Sequence, residues 1–363
     1  MRVESKLLVS PNDVKPSFPD WEVNGIFNPA AVRMPDGKIM LFARVAETIK
    51  EKKGGKRVYP IITSVSKRDD VKYKELTESG KVTDMGRNVV YMKGGLSLLR
   101  TISHLRRIKL SEDGLYVEEV EEIPGFVGEP NNGDLGVEDP RIVKIGGKYI
   151  MTYVSVSRVE GICTSLAISK DLRDWDKKGI IFRQQNKDVV IFPEKIKGKY
   201  VALHRPEGTI SFSKKTIWIS HSPDLIHWGE EKSIMSARPN SWGSAWIGSG
   251  SPPIKTKKGW LLFYHGVNSD KEKFYGVGVA LLDLKNPENV IARSSLKHPL
   301  IKPREKYEKR GHINNVVFPT GVVLSKDKRD VLLYCGGADR VVCVKKLNLK
   351  EVLGCLNPIK EKL

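Results

Sequence analysis

The sequence predicts an all-β protein, a five-bladed β-propeller with an insertion in its first blade. Three observations carry that reading. An apolar strand, a tight Gly-containing turn and a second apolar strand recur four times along the 363 residues, and a fifth copy has a longer polar turn. A polar turn, Ser-x-Asp-Leu-x-x-Trp, follows two of these hairpins. Hairpin, third strand, polar turn and fourth strand make one four-stranded antiparallel sheet, the unit of a propeller blade.

Taken in order, the first hairpin is NPAAVRMPDGKIMLFAR (28–44), turning at Asp36-Gly37. Asp-Gly, Gly-Gly and Lys-Gly between β-rich runs are hairpin signals, because such turns need residues that tolerate positive φ. The second, EDPRIVKIGGKYIMTYV (138–154), starts about 110 residues later, so residues 46–100 read as an insertion, with the Lys- and Gly-rich stretch KEKKGGKR. The third is FPEKIKGKYVALHR (192–205), the fourth SPPIKTKKGWLLFYH (251–265) and the fifth VVFPTGVVLSKDKRDVLLYCGGAD (316–339). SKDLRDW (169–175) and SPDLIHW (222–228) are matching polar turns, and SEDGLYV (111–117) is a degenerate copy. Residues 1–25 and 340–363 are expected to close and cap the ring, making 1–363 one domain, with a short helix in NLKEVLGCL. A β-sandwich, which also spaces short strands evenly, is the alternative.

Composition narrows the function. Hydrophobic residues make up 40% and charged residues 29%, the balance of a soluble globular chain. No run of 18 apolar residues occurs, so no membrane partner is expected, and the N-terminus lacks a secretory pattern. The four cysteines (Cys163, Cys335, Cys343, Cys355) lie far apart without metal-ligand spacing, and read as reduced thiols of a cytoplasmic protein. No metal or organic cofactor is expected: Gly276-Val-Gly278 lacks a third glycine, and Walker A, HExxH and GxSxG motifs are absent. The net charge of +19 comes from lysines dispersed in turns rather than from a basic helix, so nucleic acid is not expected as a partner. A homo-oligomer is compatible with the sequence.

Matching register on successive blades brings residues to one axis. Counting five positions on from Ile39, Tyr149, Tyr200 and Trp260 gives Arg44, Val154, Arg205 and His265. Cationic types at three of these four positions suit an anion. His204 and Lys187 stand close by in sequence. Glu138-Asp139-Pro140-Arg141 places a carboxylate at a strand start, where apolar surroundings can raise its pKa for work as a general acid. An Asp-Pro turn is the plain alternative. Asp339, in GGAD, is a further carboxylate after an apolar strand, and Trp242, Trp246 and Tyr264 could stack on a sugar ring.

Together FNPA (27–30), EDPR (138–141), NKDVVIFPEKIKGKYVALHRP (186–206), GSGSPPI (248–254), GWLLFYHGV (259–267) and GGAD (336–339) resemble glycoside hydrolase family 130, the β-mannoside phosphorylases and related β-mannosidases, over residues 25–340. The resemblance implies a five-bladed propeller that acts as a catalytic domain on a mannoside and inorganic phosphate. It makes Asp139 the catalytic acid. It assigns phosphate to Lys187, Arg205 and His265, with Tyr264 as a further contact. It assigns the mannose at the cleaved bond to Asn28, Arg44 and Asp339, and Glu138, Arg141 and His204 fall in or beside the same motifs. Ser251 departs from the family, where a proline is expected.

Phosphorolysis is favoured over hydrolysis on chemical grounds. An inverting hydrolase needs a second carboxylate to activate water, whereas phosphate is already a nucleophile and needs only cations to hold it. Glu194 and Asp188 are the candidate bases, and both also read as salt-bridge residues. The expected reaction is reversible, inverting phosphorolysis of a β-1,2- or β-1,4-linked mannoside to α-mannose 1-phosphate. The alternatives are a β-mannosidase on the same fold and a non-catalytic sugar-binding propeller.

Overall fold

The computed structural model describes residues 1–50, 58–65, 71–77, 82–85, 89–92, 97–207, 215–270 and 272–359. Five antiparallel sheets form the blades. Blade one runs outward through Trp21–Arg33, Ile39–Ile49, Ile102–Leu110 and Val117–Val120. Blade two is Val137–Ile145, Lys148–Ser157, Gly161–Ser169 and Trp175–Phe182. Blade three is Asn186–Ile191, Tyr200–Pro206, Ile217–Ser222 and Gly229–Met235. In blade four the inner strand Trp246–Ser249 breaks at Gly250, and Gly259–Val267, Tyr275–Leu282 and Val290–Arg293 follow outward.

Blade five closes the ring. Val317–Leu324, Asp330–Gly337 and Val341–Asn348 are joined at the outer edge by Val3–Val9, from the other end of the chain. Both segments expected to close the ring take part: Val3–Val9 pairs with Val341–Asn348, and 340–363 also supplies a short helix at Leu349–Gly354 and a two-residue edge pairing on blade four. The third hairpin also starts earlier than its sequence suggests, since the inner strand is Asn186–Ile191 and residues 192–199 form the turn region.

Burial explains why the blades pack as a ring. Both faces of each sheet carry apolar side chains, and five buried clusters each join two neighbouring blades. Leu41 and Tyr334 lie in the cluster between blades one and five, Phe42 and Met151 between one and two. Ile150 and Ile191 join two and three, Leu203 and Trp260 three and four, Phe263 and Leu333 four and five. Burying such surfaces contributes roughly 25 cal/mol per Å² of apolar area.

Between the second and third strands of blade one, residues 58–65 and 71–77 pair as one small sheet, and 82–85, 89–92 and 97–99 as another. Tyr59, Val90 and Leu98 pack on Leu135, Val154 and Val156, which seats this region on blade two. The blade strand runs on to Ile49, so 46–49 belong to the blade. Of KEKKGGKR, residues 51–57 lie outside the described residues.

The polar turns are a repeated device. Ser169 Oγ accepts from the backbone N–H of Leu172, and Asp171 Oδ1 from those of Arg173 and Asp174. Ser222 and Asp224 repeat this with Leu225, Ile226 and His227. Leu172, Leu225 and, in the degenerate copy, Gly114 all take positive φ. At Gly114 a side chain would also run into Tyr334, whose hydroxyl donates to the Gly114 carbonyl at 3.0 Å. Ser222→Ala should therefore cost about 1 kcal/mol, the worth of a local side-chain cap. The check is a denaturant midpoint lowered at constant slope; an unchanged midpoint would show that the serine is dispensable.

Candidate active site

The site grows from one backbone feature used three times. On the inner strands of blades one, two and three, two residues oppose one on the neighbouring strand: the register slips after Phe27–Arg44, Glu138–Val154 and Lys187–Arg205. The first bulged residue is Asn28, Asp139 or Asp188, with φ of 49°, 47° and 57°. Asn and Asp tolerate this left-handed region better than other side-chain-bearing residues, which is why they stand there. In blade four His265 pairs with Gly248 at the same level, just before the break. The register predicted from sequence thus holds, with one correction: Arg44, Arg205 and His265 sit on the second strand of each blade, and the bulged inner strand aims its own residues beside them.

The bulges bring their side chains into contact. Asn28 Nδ2 donates to Asp139 Oδ1 at 3.0 Å, and Arg44 Nη1 reaches the same oxygen at 3.3 Å. Arg44 Nη2 donates to Glu138 Oε1 at 2.7 Å, and its guanidinium lies 4.8 Å from the Phe27 ring centre. Arg141 links this group to the next blade. Its Nη1 donates to the Asp139 carbonyl at 2.7 Å, its Nε to the Gly250 carbonyl at 3.0 Å, and its Nη2 to Asp188 Oδ1 at 3.4 Å. Asp188 Oδ2 accepts from Arg205 Nε at 2.6 Å and lies 3.5 Å from His265 Nε2. Arg205 also pairs with Glu207, which accepts from Lys215 Nζ at 2.6 Å.

Two glycines permit this density. A Cβ at Gly248 would run into Asp188 Oδ2 and the His265 ring, and one at Gly336 into the Asn28 side chain. Asn28 Oδ1 and both His265 ring nitrogens are buried with no hydrogen-bond partner among the described residues. Ser251 is buried too, its Oγ likewise unpartnered.

The electrostatics divide the carboxylates. Burial alone would raise Asp139, but Arg44, Arg141, the Asn28 bond and Lys187 outweigh it and hold the carboxyl below its ordinary range. That corrects the expectation of a raised pKa from apolar surroundings: the neighbours of Asp139 are cations. Asp188 is also held far below its ordinary range, since Arg205, His265 and Arg141 overcome its burial. Asp339 goes the other way. Burial pushes it up to about 6, and Arg44's opposing pull is offset by repulsion from Asp139 and Glu138. Burial also lowers His265 to about 4, so the ring is neutral at pH 7, not cationic.

Of the residues expected from sequence, Asn28, Arg44, Glu138, Asp139, Arg141, Arg205 and His265 meet here. Lys187 opposes Arg205 in register, and its charge is felt by Asp139 and Asp339. Two do not belong. Side chains alternate along a strand, so the neighbours of His265 and Arg205 face the blade interfaces. Tyr264 stacks on Trp242 at 5.7 Å and accepts from Arg293 at 3.4 Å, within the core of blades three and four. His204 stacks on Phe182 at 4.6 Å, bonds Asn186 at 2.9 Å and is lowered to about 4 by burial. Glu194 is paired with Lys255 at 2.6 Å on the exposed surface. Tyr275 and Phe318, missed in the sequence, lie 6.1 and 4.4 Å from the His265 ring centre, where Phe318 occupies the blade-five inner position.

This cluster of Asp139 and Asp188 with Arg44, Arg141 and Arg205 can be compared with known proteins. The family model described as β-1,4-mannooligosaccharide phosphorylase matches residues 90–358. A β-1,2-mannobiose phosphorylase of Listeria innocua is 35% identical over 355 residues, covering 97% of each chain. A 1,2-β-oligomannan phosphorylase of a Thermoanaerobacter species is 41% identical over 276 residues, covering 75% of this chain and 85% of that one. The solved structure of the Listeria innocua enzyme with β-1,2-mannobiose superposes with a TM-score of 0.83 at 32% identity, covering 98% of this chain and 99% of that one. The chain belongs to glycoside hydrolase family 130, and it is an enzyme.

Proposed function

We propose that the protein is an inverting mannoside phosphorylase that cleaves β-1,2-linked mannobiose or short β-1,2-oligomannans. The products are α-mannose 1-phosphate and the shortened acceptor. The linkage rests on the near full-length similarity to the β-1,2-mannobiose enzyme. One observation favours phosphate over water as the nucleophile: of the two candidate bases, Glu194 lies on the exposed surface, and Asp188 is engaged by Arg141 and Arg205 and held ionised far below neutrality. A base must accept a proton near the working pH, and this group resists one.

Division of labour follows from the two halves of the site. Asn28, Arg44 and Glu138 surround Asp139 on blades one and two, beside the place proposed for the mannose. Lys187, Arg205 and His265 lie on blades three and four and receive the phosphate. Arg205 has two nitrogens committed to Asp188 and Glu207, so it offers phosphate its outer edge rather than its Nε side. Bound phosphate brings negative charge next to Arg141 and Lys187. Their pull on Asp139 is then partly cancelled, and its proton affinity rises when an acid is needed. Asp139 takes up a proton from solvent as phosphate binds and gives it to the glycosidic oxygen, directly or through a mannose hydroxyl. A phosphate oxygen meanwhile attacks the anomeric carbon from the opposite face, and the C–O bond to the leaving sugar breaks.

Four outcomes are expected. Wild-type turnover should require phosphate, and release of free mannose at equal rate without it would contradict the proposal. Asp139→Asn should keep sugar binding and lose about 10²- to 10⁴-fold in kcat, the range for a general acid; near-normal turnover would remove the assignment. Arg205→Ala should raise the phosphate KM more than the mannoside KM, and Arg44→Ala the reverse; equal effects on both constants would refute the division.

The fourth outcome concerns stability. A carboxyl raised from 3.8 to about 6 costs the folded state stability as it ionises. That cost is small near pH 4 and full above pH 6, on the order of 2–3 kcal/mol. Asp339→Asn should therefore gain stability over wild type as pH rises from 4 to 7, measured by urea unfolding. A difference independent of pH would show that Asp339 titrates normally.

A further inference from the structure

Asp188 is used by no step of the proposed reaction, yet it occupies the blade-three position equivalent to Asp139 and is 4% exposed. An anion site with a buried carboxylate at its centre looks self-defeating, because the charge repels the ligand. The contacts suggest otherwise. Asp188 takes Arg205 Nε at 2.6 Å and Arg141 Nη2 at 3.4 Å, with His265 Nε2 at 3.5 Å. Arg141 is 3% exposed and spends its other bonds on the Asp139 and Gly250 carbonyls. Gly248 has no side chain, and that absence lets the carboxylate close against His265.

Resting on the phosphorylase reading, we propose that Asp188 is the positioning residue of the phosphate site. It fixes the Arg205 guanidinium before phosphate arrives, and its contribution through geometry exceeds the repulsion of its charge. Two effects of opposite sign compete. Removing the charge alone would tighten anion binding. Releasing Arg205 would leave a long, buried cation held only by Glu207 and free to swing about that contact, and phosphate would have to reorder it on binding.

The test is steady-state kinetics of wild type, Asp188→Asn, Arg205→Lys and the double variant, with phosphate and β-1,2-mannobiose varied in turn. Asp188→Asn should raise the phosphate KM about 10- to 100-fold, on the scale of a misplaced binding group. The mannobiose KM should stay within about threefold of wild type, which a general loss of structure would not allow. Arg205→Lys keeps the charge but loses the planar Nε contact, and should show a similar loss. The double variant should be little worse than either single one, because both break the same interaction.

A phosphate KM that falls or stays constant in Asp188→Asn overturns the proposal, as do equal rises in both KM values or fully additive losses. If Asp188→Asn does not fold, Arg205→Lys decides alone: an unchanged phosphate KM refutes positioning. Failure of the phosphorylase reading is seen separately, as phosphate-independent turnover by the wild type.

Discussion

The site depends on Arg141. Its guanidinium bonds the Asp139 carbonyl, the Gly250 carbonyl and the Asp188 carboxylate, so it ties three blades together at the axis. Removing one partner from a buried ion pair typically costs 3–5 kcal/mol, far more than an exposed pair is worth. A propeller needs such a tie because its blades otherwise meet through apolar faces, which set spacing but not the angle of a polar group. With Arg141 in place, Asp139 and the proposed phosphate cations are held in one frame.

The price of that frame is local strain and buried charge. Asn28, Asp139 and Asp188 all sit at positive φ, and Asp339 and Ala338 do so at the end of a blade-five strand. Left-handed residues of this kind persist where the surroundings over-determine them. Here the surroundings are ion pairs: Arg44 with Glu138 and Asp139, Arg205 with Asp188 and Glu207. Alternation of cations and anions keeps each charge compensated before any ligand binds. Asp339, with no such ion pair among the described residues, shows in its raised pKa what the others avoid.

Much of this was legible in the sequence because hairpins and their turns are local signals. The five repeats yielded the blades, and equal spacing past the turns yielded the Arg44, Arg205 and His265 level. Asn28 and Asp139 could be noticed because proline follows each. Asp188 carries no such mark and lay upstream of a hairpin read as starting at residue 192, so its equivalence to Asp139 went unseen. His204 and Tyr264 were misplaced by adjacency, since neighbours on a strand face opposite ways. The low pKa of Asp139 depends on Arg44 from another blade. Closure by the two chain ends was expected, but the register of Val3–Val9 on a strand more than 330 residues away has no local signal. Phe318 was hidden because only the ring brings blade five to His265, and Tyr275 because its place beside His265 depends on the register of the next strand in blade four.

Stereochemistry at the anomeric carbon tests the central claim most directly. With Asp139 as the proposed acid and Asp188 tied up in ion pairs, phosphate itself is expected to attack from the face opposite the leaving sugar, in a single displacement. Proton NMR of the first turnovers on β-1,2-mannobiose with phosphate should show α-mannose 1-phosphate as the initial product. A β-configured phosphate, or free mannose appearing first, would contradict the account.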